Sequence, residues 1–304
     1  MGDTTVYMFP GQGSQSVGMR GRLGGLSNDQ RELFDEADAI LGFSLGELID
    51  NGPEEELMRT PNAQPALLVM GIAFARGLDA RGEKADIVMG HSLGEYAALV
   101  HGGVISFGNA VRIVRRRGEL MESAVTNIPG KMAAVIGADR ESLHGIMAEC
   151  AAGQVLETAN YNSPSQVVIT GEAAAVDRAV AEITRRGTGK AMELNVAGPF
   201  HSSLMKPAGG EFEIFLRDFA FNPPRLAFID NVTGEFEENP ERIREKLVLQ
   251  LYSPVQWERS VLSARDAGAA LFIESGPGSV LAGLVKRIAR DRKIASGEKL
   301  LNPS

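Results

Sequence analysis

The sequence predicts an α/β protein built on a largely parallel sheet, with a small ferredoxin-like unit inserted into it. Three observations predict this. Short apolar runs of strand length alternate with longer runs of helical period along most of the chain. In the middle of the chain the order becomes β-α-β-β-α-β, the ferredoxin-like pattern. And 304 residues are long for one simple domain but short for two large ones, which suits a main domain carrying an insertion.

The elements follow in order. Residues 6–9 form a buried strand ended by Pro10 and Gly11, and residues 30–41 and 64–76 read as helices. A second apolar strand over 86–89 runs through a glycine-flanked turn into a helix over 93–101, and 110–124 is an amphipathic helix. The inserted unit spans 130–196. It reads as a strand (132–136), a helix (140–152), a strand (155–160), a turn at Asn162-Ser163-Pro164-Ser165, a strand (166–170), a helix (173–186) and a strand (191–196). The large unit, residues 1–129, resumes over 197–304. It adds a helix (211–219), a strand (226–229), helices (241–250 and 254–266), a strand (271–273) and a last helix (279–290).

Composition excludes several classes of function. The net charge of -8 leaves no broad basic field for nucleic acid. The longest apolar run, 66–75, is about half of what a membrane helix needs. Residues 1–10 lack the basic and apolar regions of a signal peptide. Cys150 is the one cysteine, so no disulfide can form within the chain, as suits a reducing compartment. The expectation is a soluble, cytoplasmic protein without nucleic-acid or membrane partners. The scattered histidines offer no metal site.

Gly90-His91-Ser92-Leu93-Gly94 matches the G-x-S-x-G nucleophile elbow. As a bare pentapeptide it would occur by chance. Here it follows a predicted strand and opens a predicted helix, as the elbow requires. A serine on so sharp a turn holds its hydroxyl clear of the backbone, and the flanking glycines leave room for close packing. The Leu93 N–H then faces the reacting carbonyl, with the helix N-terminus behind it.

A second glycine-rich loop, Gly11-Gln12-Gly13-Ser14-Gln15, follows the first strand. It fails as a dinucleotide loop, because Ser16 stands where the next glycine is needed, and no Lys-Ser or Lys-Thr pair makes it a P-loop. In the α/β-hydrolase layout a loop after an early strand supplies the second oxyanion donor, which makes the Gln12 N–H the candidate. Spacing alone leaves a plain tight turn open.

The serine needs a base. Of the four histidines, His91 adjoins Ser92 but should leave the turn in another direction, while His101 and His144 lie in predicted helices. His201, in the loop Gly198-Pro199-Phe200-His201-Ser202 between the two units, is the best placed. No acid obviously completes a triad, so a Ser–His dyad with a neutral acceptor behind the imidazole is expected.

Together these motifs resemble the malonyl-CoA:acyl carrier protein transacylase family, over nearly the whole chain. Carrying the resemblance are Phe9-Pro10-Gly11-Gln12-Gly13-Ser14-Gln15, Gly90-His91-Ser92-Leu93-Gly94-Glu95-Tyr96, Arg116-Arg117-Gly118, Asn160-Tyr161-Asn162-Ser163-Pro164, the His201 loop, Gln250-Leu251-Tyr252-Ser253-Pro254-Val255-Gln256-Trp257 and Gly276-Pro277-Gly278. The resemblance implies an α/β-hydrolase-like large domain beside the ferredoxin-like one. It implies Ser92 as nucleophile, His201 as base, Gln12 and Leu93 as oxyanion donors, and the Gln250 main-chain carbonyl as the imidazole's acceptor. Substrate contacts would come from Arg117, Phe200, His91 and Asn162. It implies Arg117 as the grip on the malonyl carboxylate, which a guanidinium can hold through two parallel hydrogen bonds. Locally Arg117 is one of several arginines, with Arg112, Arg115 and Arg116 nearby, and only the motif singles it out. Phe200 should leave little room for an α-methyl group, although Pro199 departs from the alanine frequent in polyketide relatives.

The activity so implied is malonyl transfer from malonyl-CoA to the phosphopantetheine thiol of acyl carrier protein, by a monomer without cofactor. A hydrolase clearing stalled acyl groups would share the dyad, and a catalytically silent carrier-binding module would not need it. A basic cluster, Lys286, Arg287, Arg290, Arg292 and Lys293, could dock an acidic carrier or could equally be a solvated helix end.

Overall fold

The computed structural model describes residues 4–125, 129–196 and 198–303. The predicted start of the chain, residues 1–3, and the predicted re-entry into the large unit at residue 197 lie outside them.

Two sheets organise the molecule. The first contains five parallel strands: β1 (Thr5–Phe9), β2 (Ile87–Gly90), β7 (Ala227–Ile229), β8 (Leu271–Glu274) and β9 (Lys293–Ser296), in the order β7-β2-β1-β8-β9. Its central strand β1 is buried along its whole length, which is why it reads as an unbroken apolar run. Successive side chains point to opposite faces. Tyr7 and Phe9 join the larger core, with the helices Thr60–Ala80, Gly94–His101 and Phe107–Val125. Val6 and Met8 face the other way, onto Trp257, Val261, Leu281 and Val285 of the helices Trp257–Asp266 and Val280–Ile288.

The second sheet is antiparallel: β3 (Gly130–Ile136), β4 (Leu156–Ser163), β5 (Gln166–Glu172) and β6 (Lys190–Glu193), in the order β4-β5-β3-β6. That order and the two helices Arg140–Ala151 and Ala173–Arg186 give the ferredoxin-like arrangement. Again the pleat divides the labour. Ala133, Val135, Val167 and Ile169 pack on Leu143, Ile146, Val176 and Ile183 of those helices. Met132, Ala134 and Val168 face Met121 and Phe200 of the larger part. Thr158 to Asn160 also carries an irregularity, and Asn160 bridges to Val255, tying the two sheets' surroundings together.

Several boundaries differ from the sequence expectation. The first long helix begins at Asn28, because Ser27 and Gln30 form a capping box there. The apolar run 66–75 is part of the buried helix Thr60–Ala80, and among the described residues no helix is long and apolar enough to cross a membrane. The turn expected over Asn162–Ser165 is shorter, since Asn162 and Ser163 belong to β4. The helix expected over 211–219 starts earlier and is Lys206–Leu216. Helices Leu45–Asn51 and Glu54–Met58 and strand β9 were not expected. Strand β9 takes Lys293 out of the helix end where the basic cluster was placed, because the helix stops at Ile288. Cys150 is half-buried in its helix.

Candidate active site

Ser92 stands on the turn between β2 and the helix Gly94–His101. Its φ of 50° lies in the left-handed region that a residue with a side chain seldom adopts. Such a conformation costs about 1–3 kcal/mol and persists only where the surroundings enforce it. Here they do. The Ser92 N–H donates to Asn231 Oδ1 (2.6 Å), and Asn231 Nδ2 donates to the Gly90 carbonyl (2.6 Å). A Cβ on Gly90 would collide with the backbone of Gly94, and one on Gly94 with the Phe9 carbonyl. The motif's glycines are therefore demanded by the close approach of β1, β2 and the helix.

His201 arrives from a loop beyond the second sheet and is also left-handed, with φ 59°. Its Nδ1–H donates to the Gln250 carbonyl (2.7 Å), which fixes the tautomer and leaves Nε2 as an acceptor. The Ser92 hydroxyl donates to that Nε2 at 2.8 Å. The His201 N–H donates to the Leu251 carbonyl (3.1 Å), so the stretch 250–251 holds His201 at two points. Burial, and after it the charge of Arg117, pushes the imidazole down to about 3. His201 is thus neutral, and able to take a proton, far below the usual histidine range.

A pH test follows from the sign of that shift. The protonated fraction of His201 grows only as pH falls towards the lowered value, so the base is lost there and not near 6.5. Inactivation of Ser92 by a small neutral sulfonyl fluoride should stay within about twofold between pH 8 and pH 5. An inflection near 6.5 would show that the imidazole titrates normally and that the buried geometry is not the working one.

Arg117 enters from the helix Phe107–Val125 and is 1% exposed. Its Nη2 donates to Ser92 Oγ (3.2 Å) and to Gln250 Oε1 (2.8 Å), and the guanidinium lies over the Tyr96 ring, 5.5 Å from its centroid. Burial pulls its pKa below the ordinary arginine value, while Tyr96 and Glu95 oppose that. Among the described residues no carboxylate forms an ion pair with it.

These groups meet at a cavity of about 90 Å³. Gln12, His91, Ser92, Leu93, Arg117, Asn160 and His201 give it polar atoms; Met121, Met132, Leu194, Val196 and Phe200 give it an apolar wall. Gln12 and Leu93 reach it together, and their N–H groups have no acceptor among the described residues. His91 donates from Nε2 to Asn162 Oδ1 (2.9 Å) and packs on Trp257, so its ring leaves the turn away from His201. Asn162 sits behind His91, and the residue of β4 that lines the cavity is Asn160. His101 stacks on Tyr7 (5.3 Å between ring centroids) and His144 is exposed in its helix, as expected of packing and surface residues.

Sequence reasoning missed two residues. Asn231, just after β7, clamps the elbow as described. Glu95 is 1% exposed; it accepts from the Asn231 N–H (3.2 Å) and from Gln250 Nε2. Burial, and after it the charge of Asp230, pushes its carboxyl up to about 8. The available signal for Glu95 was its place three residues after Ser92, on the same side of the helix.

Comparisons with known proteins place the chain among acyltransferases over nearly its whole length. The acyl transferase domain family matches residues 6–301. The malonyl CoA-acyl carrier protein transacylase of Escherichia coli K12 is 46% identical over 284 residues, covering 93% of this chain and 92% of its own. The crystal structure of malonyl-CoA:acyl carrier protein transacylase from Xanthomonas oryzae superposes with a TM-score of 0.94 at 42% identity, covering 99% of this chain and 96% of its own. A malonyl-transacylase solved in complex with a type II polyketide acyl-carrier protein gives 0.92 at 41% identity, covering 96% and 94%.

Proposed function

The chain belongs to the malonyl-CoA:acyl carrier protein transacylase family, and on that premise we propose that it moves a malonyl group from malonyl-CoA to the phosphopantetheine thiol of an acyl carrier protein through a malonyl ester on Ser92. One observation carries the choice of a charged acyl group. Arg117 is a buried cation beside the nucleophile with no carboxylate paired to it among the described residues. An uncompensated buried charge is costly, and an arriving carboxylate compensates it.

The steps are these. His201 Nε2 takes the Ser92 proton as Oγ attacks the thioester carbon, and the Gln12 and Leu93 N–H groups receive the oxyanion. The C–S bond breaks, and the coenzyme A sulfur takes the proton from His201. Malonyl stays on Ser92 with its carboxylate on Arg117. The carrier's thiol then gives its proton to His201 and attacks the ester carbon. The C–O bond breaks and Ser92 regains its proton. No metal or cofactor enters these steps.

Phe200, Met121 and Met132 narrow the cavity wall and disfavour an α-branched acyl group. The carrier docks on Lys286, Arg287 and Arg290 at the end of the helix Val280–Ile288. That helix packs on β4, and Arg287 donates to Gln166 of β5 (3.0 Å), so the patch lies where the two sheets meet. The unit formed by residues 130–196 acts as an inserted domain, and the enzyme works as a cytoplasmic monomer.

The test offers malonyl-CoA with and without a holo carrier protein. Malonyl-carrier should accumulate with equimolar coenzyme A release, and without carrier release should stop near one equivalent. Continued release without carrier would mean hydrolysis and overturn the reading.

A further inference from the structure

Gln250 does two separate things at the site. Its main-chain carbonyl holds His201, and its side chain, 1% exposed, holds Arg117. A guanidinium has only donors, so only the Oε1 end of the amide can hold it, and the NH₂ end needs acceptors of its own to keep that orientation. Glu95 is one of them. Gln250 Nε2 donates to Glu95 Oε2 and to the Ser92 carbonyl (2.9 Å). The Ser92 carbonyl can only accept, and Glu95 Oε2 keeps a lone pair for the amide whether or not the carboxyl is protonated, so the NH₂ faces them and Oε1 is left for Arg117. Turned around, Oε1 would meet two oxygens and the NH₂ would meet a guanidinium, which has only donors.

Glu95 is itself fixed from the other side, where its Oε1 accepts from the Asn231 N–H (3.2 Å). It does not line the cavity. Arg117 Nε has no partner among the described residues, so beyond the Tyr96 ring the guanidinium is held through Nη2. We propose that Glu95 is a positioning residue: by orienting the Gln250 amide it holds the Arg117 guanidinium where the malonyl carboxylate docks. This rests on the reading of Arg117 as the carboxylate's partner.

Glu95→Gln tests it with an isosteric side chain. A glutamine offers one acceptor end, but the Asn231 N–H and the Gln250 NH₂ each need one. Two reactions of Ser92 are followed on the same folded sample. One is acylation by malonyl-CoA; the other is inactivation by methanesulfonyl fluoride, which has no carboxylate. The ratio of the malonyl rate to the neutral rate should fall at least about tenfold, mainly through KM for malonyl-CoA. Gln250→Met keeps the carbonyl for His201 and removes the amide, and it should lower the ratio in the same direction if Glu95→Gln does not fold. An unchanged ratio, whether both rates hold or both fall together, would overturn the proposal and leave Glu95 as support for the turn alone. Arg117→Ala is run beside them. If it lowers the ratio while the other two do not, only the role of Glu95 fails. If it too leaves the ratio unchanged, the carboxylate reading beneath it fails as well.

Discussion

Ser92→Ala is expected to abolish the malonyl adduct and to lower transfer to the carrier by at least about 10⁴-fold. The elbow and the oxyanion donors are held by contacts that do not involve the hydroxyl, and Arg117, which loses its contact with Oγ, keeps the one with Gln250 Oε1. Asn231 still receives the residue-92 N–H, and Gln250 still holds His201 and Arg117. What is lost is the covalent route. The carrier's thiol would have to meet malonyl-CoA directly, in a cavity of about 90 Å³. Intact-protein mass spectrometry after exposure to malonyl-CoA, with the transfer rate on the same sample, checks both parts. A malonyl adduct that persists, or transfer reduced less than a hundredfold, would move the nucleophile elsewhere.

Arg117→Ala should separate acyl groups by charge. Removing one partner of a buried charge-assisted pair costs a few kcal/mol, or about 10²–10³-fold in kcat/KM for malonyl-CoA. Acetyl-CoA has no carboxylate to lose and should change by less than about tenfold. The size of the difference depends on burial. An exposed arginine pair would be worth a factor of a few at most, whereas Arg117 is 1% exposed and its carboxylate-bound state replaces a desolvated lone cation. Parallel kinetics with the two thioesters give the measurement. Equal losses for both would remove Arg117 from the carboxylate role.

The sequence was informative where local chemistry demands particular residue types. Ser92 could be found because strand, glycine, serine, glycine and helix must succeed one another, and the packing of Gly90 and Gly94 shows why no other residue fits. The ferredoxin-like order was legible because its strands alternate faces, with Met132 and Ala134 turned to one side and Ala133 and Val135 to the other. Gln250 was legible only through family resemblance. A main-chain carbonyl can come from any residue type, so composition is silent about it. The roles of Glu95 and Asn231 were hard to read for another reason. A carboxylate in a helix normally faces solvent, and Asn231 matters only because β7 lies beside β2 although far from it in sequence. Lys293 falls in β9, a four-residue edge strand that is half-buried at most and lies next to a helix end, where periodicity has too few residues to decide.

The backbone at Ser92 and His201 has one more consequence. Both residues that exchange the proton occupy a shape in which glycine would be more at ease. The chain is therefore less robust than its own scaffold permits, and by design at the two places where nothing inert would do. A search for hardier variants that ignores turnover will drift towards glycine at 92 and arrive at a sturdier, dead protein.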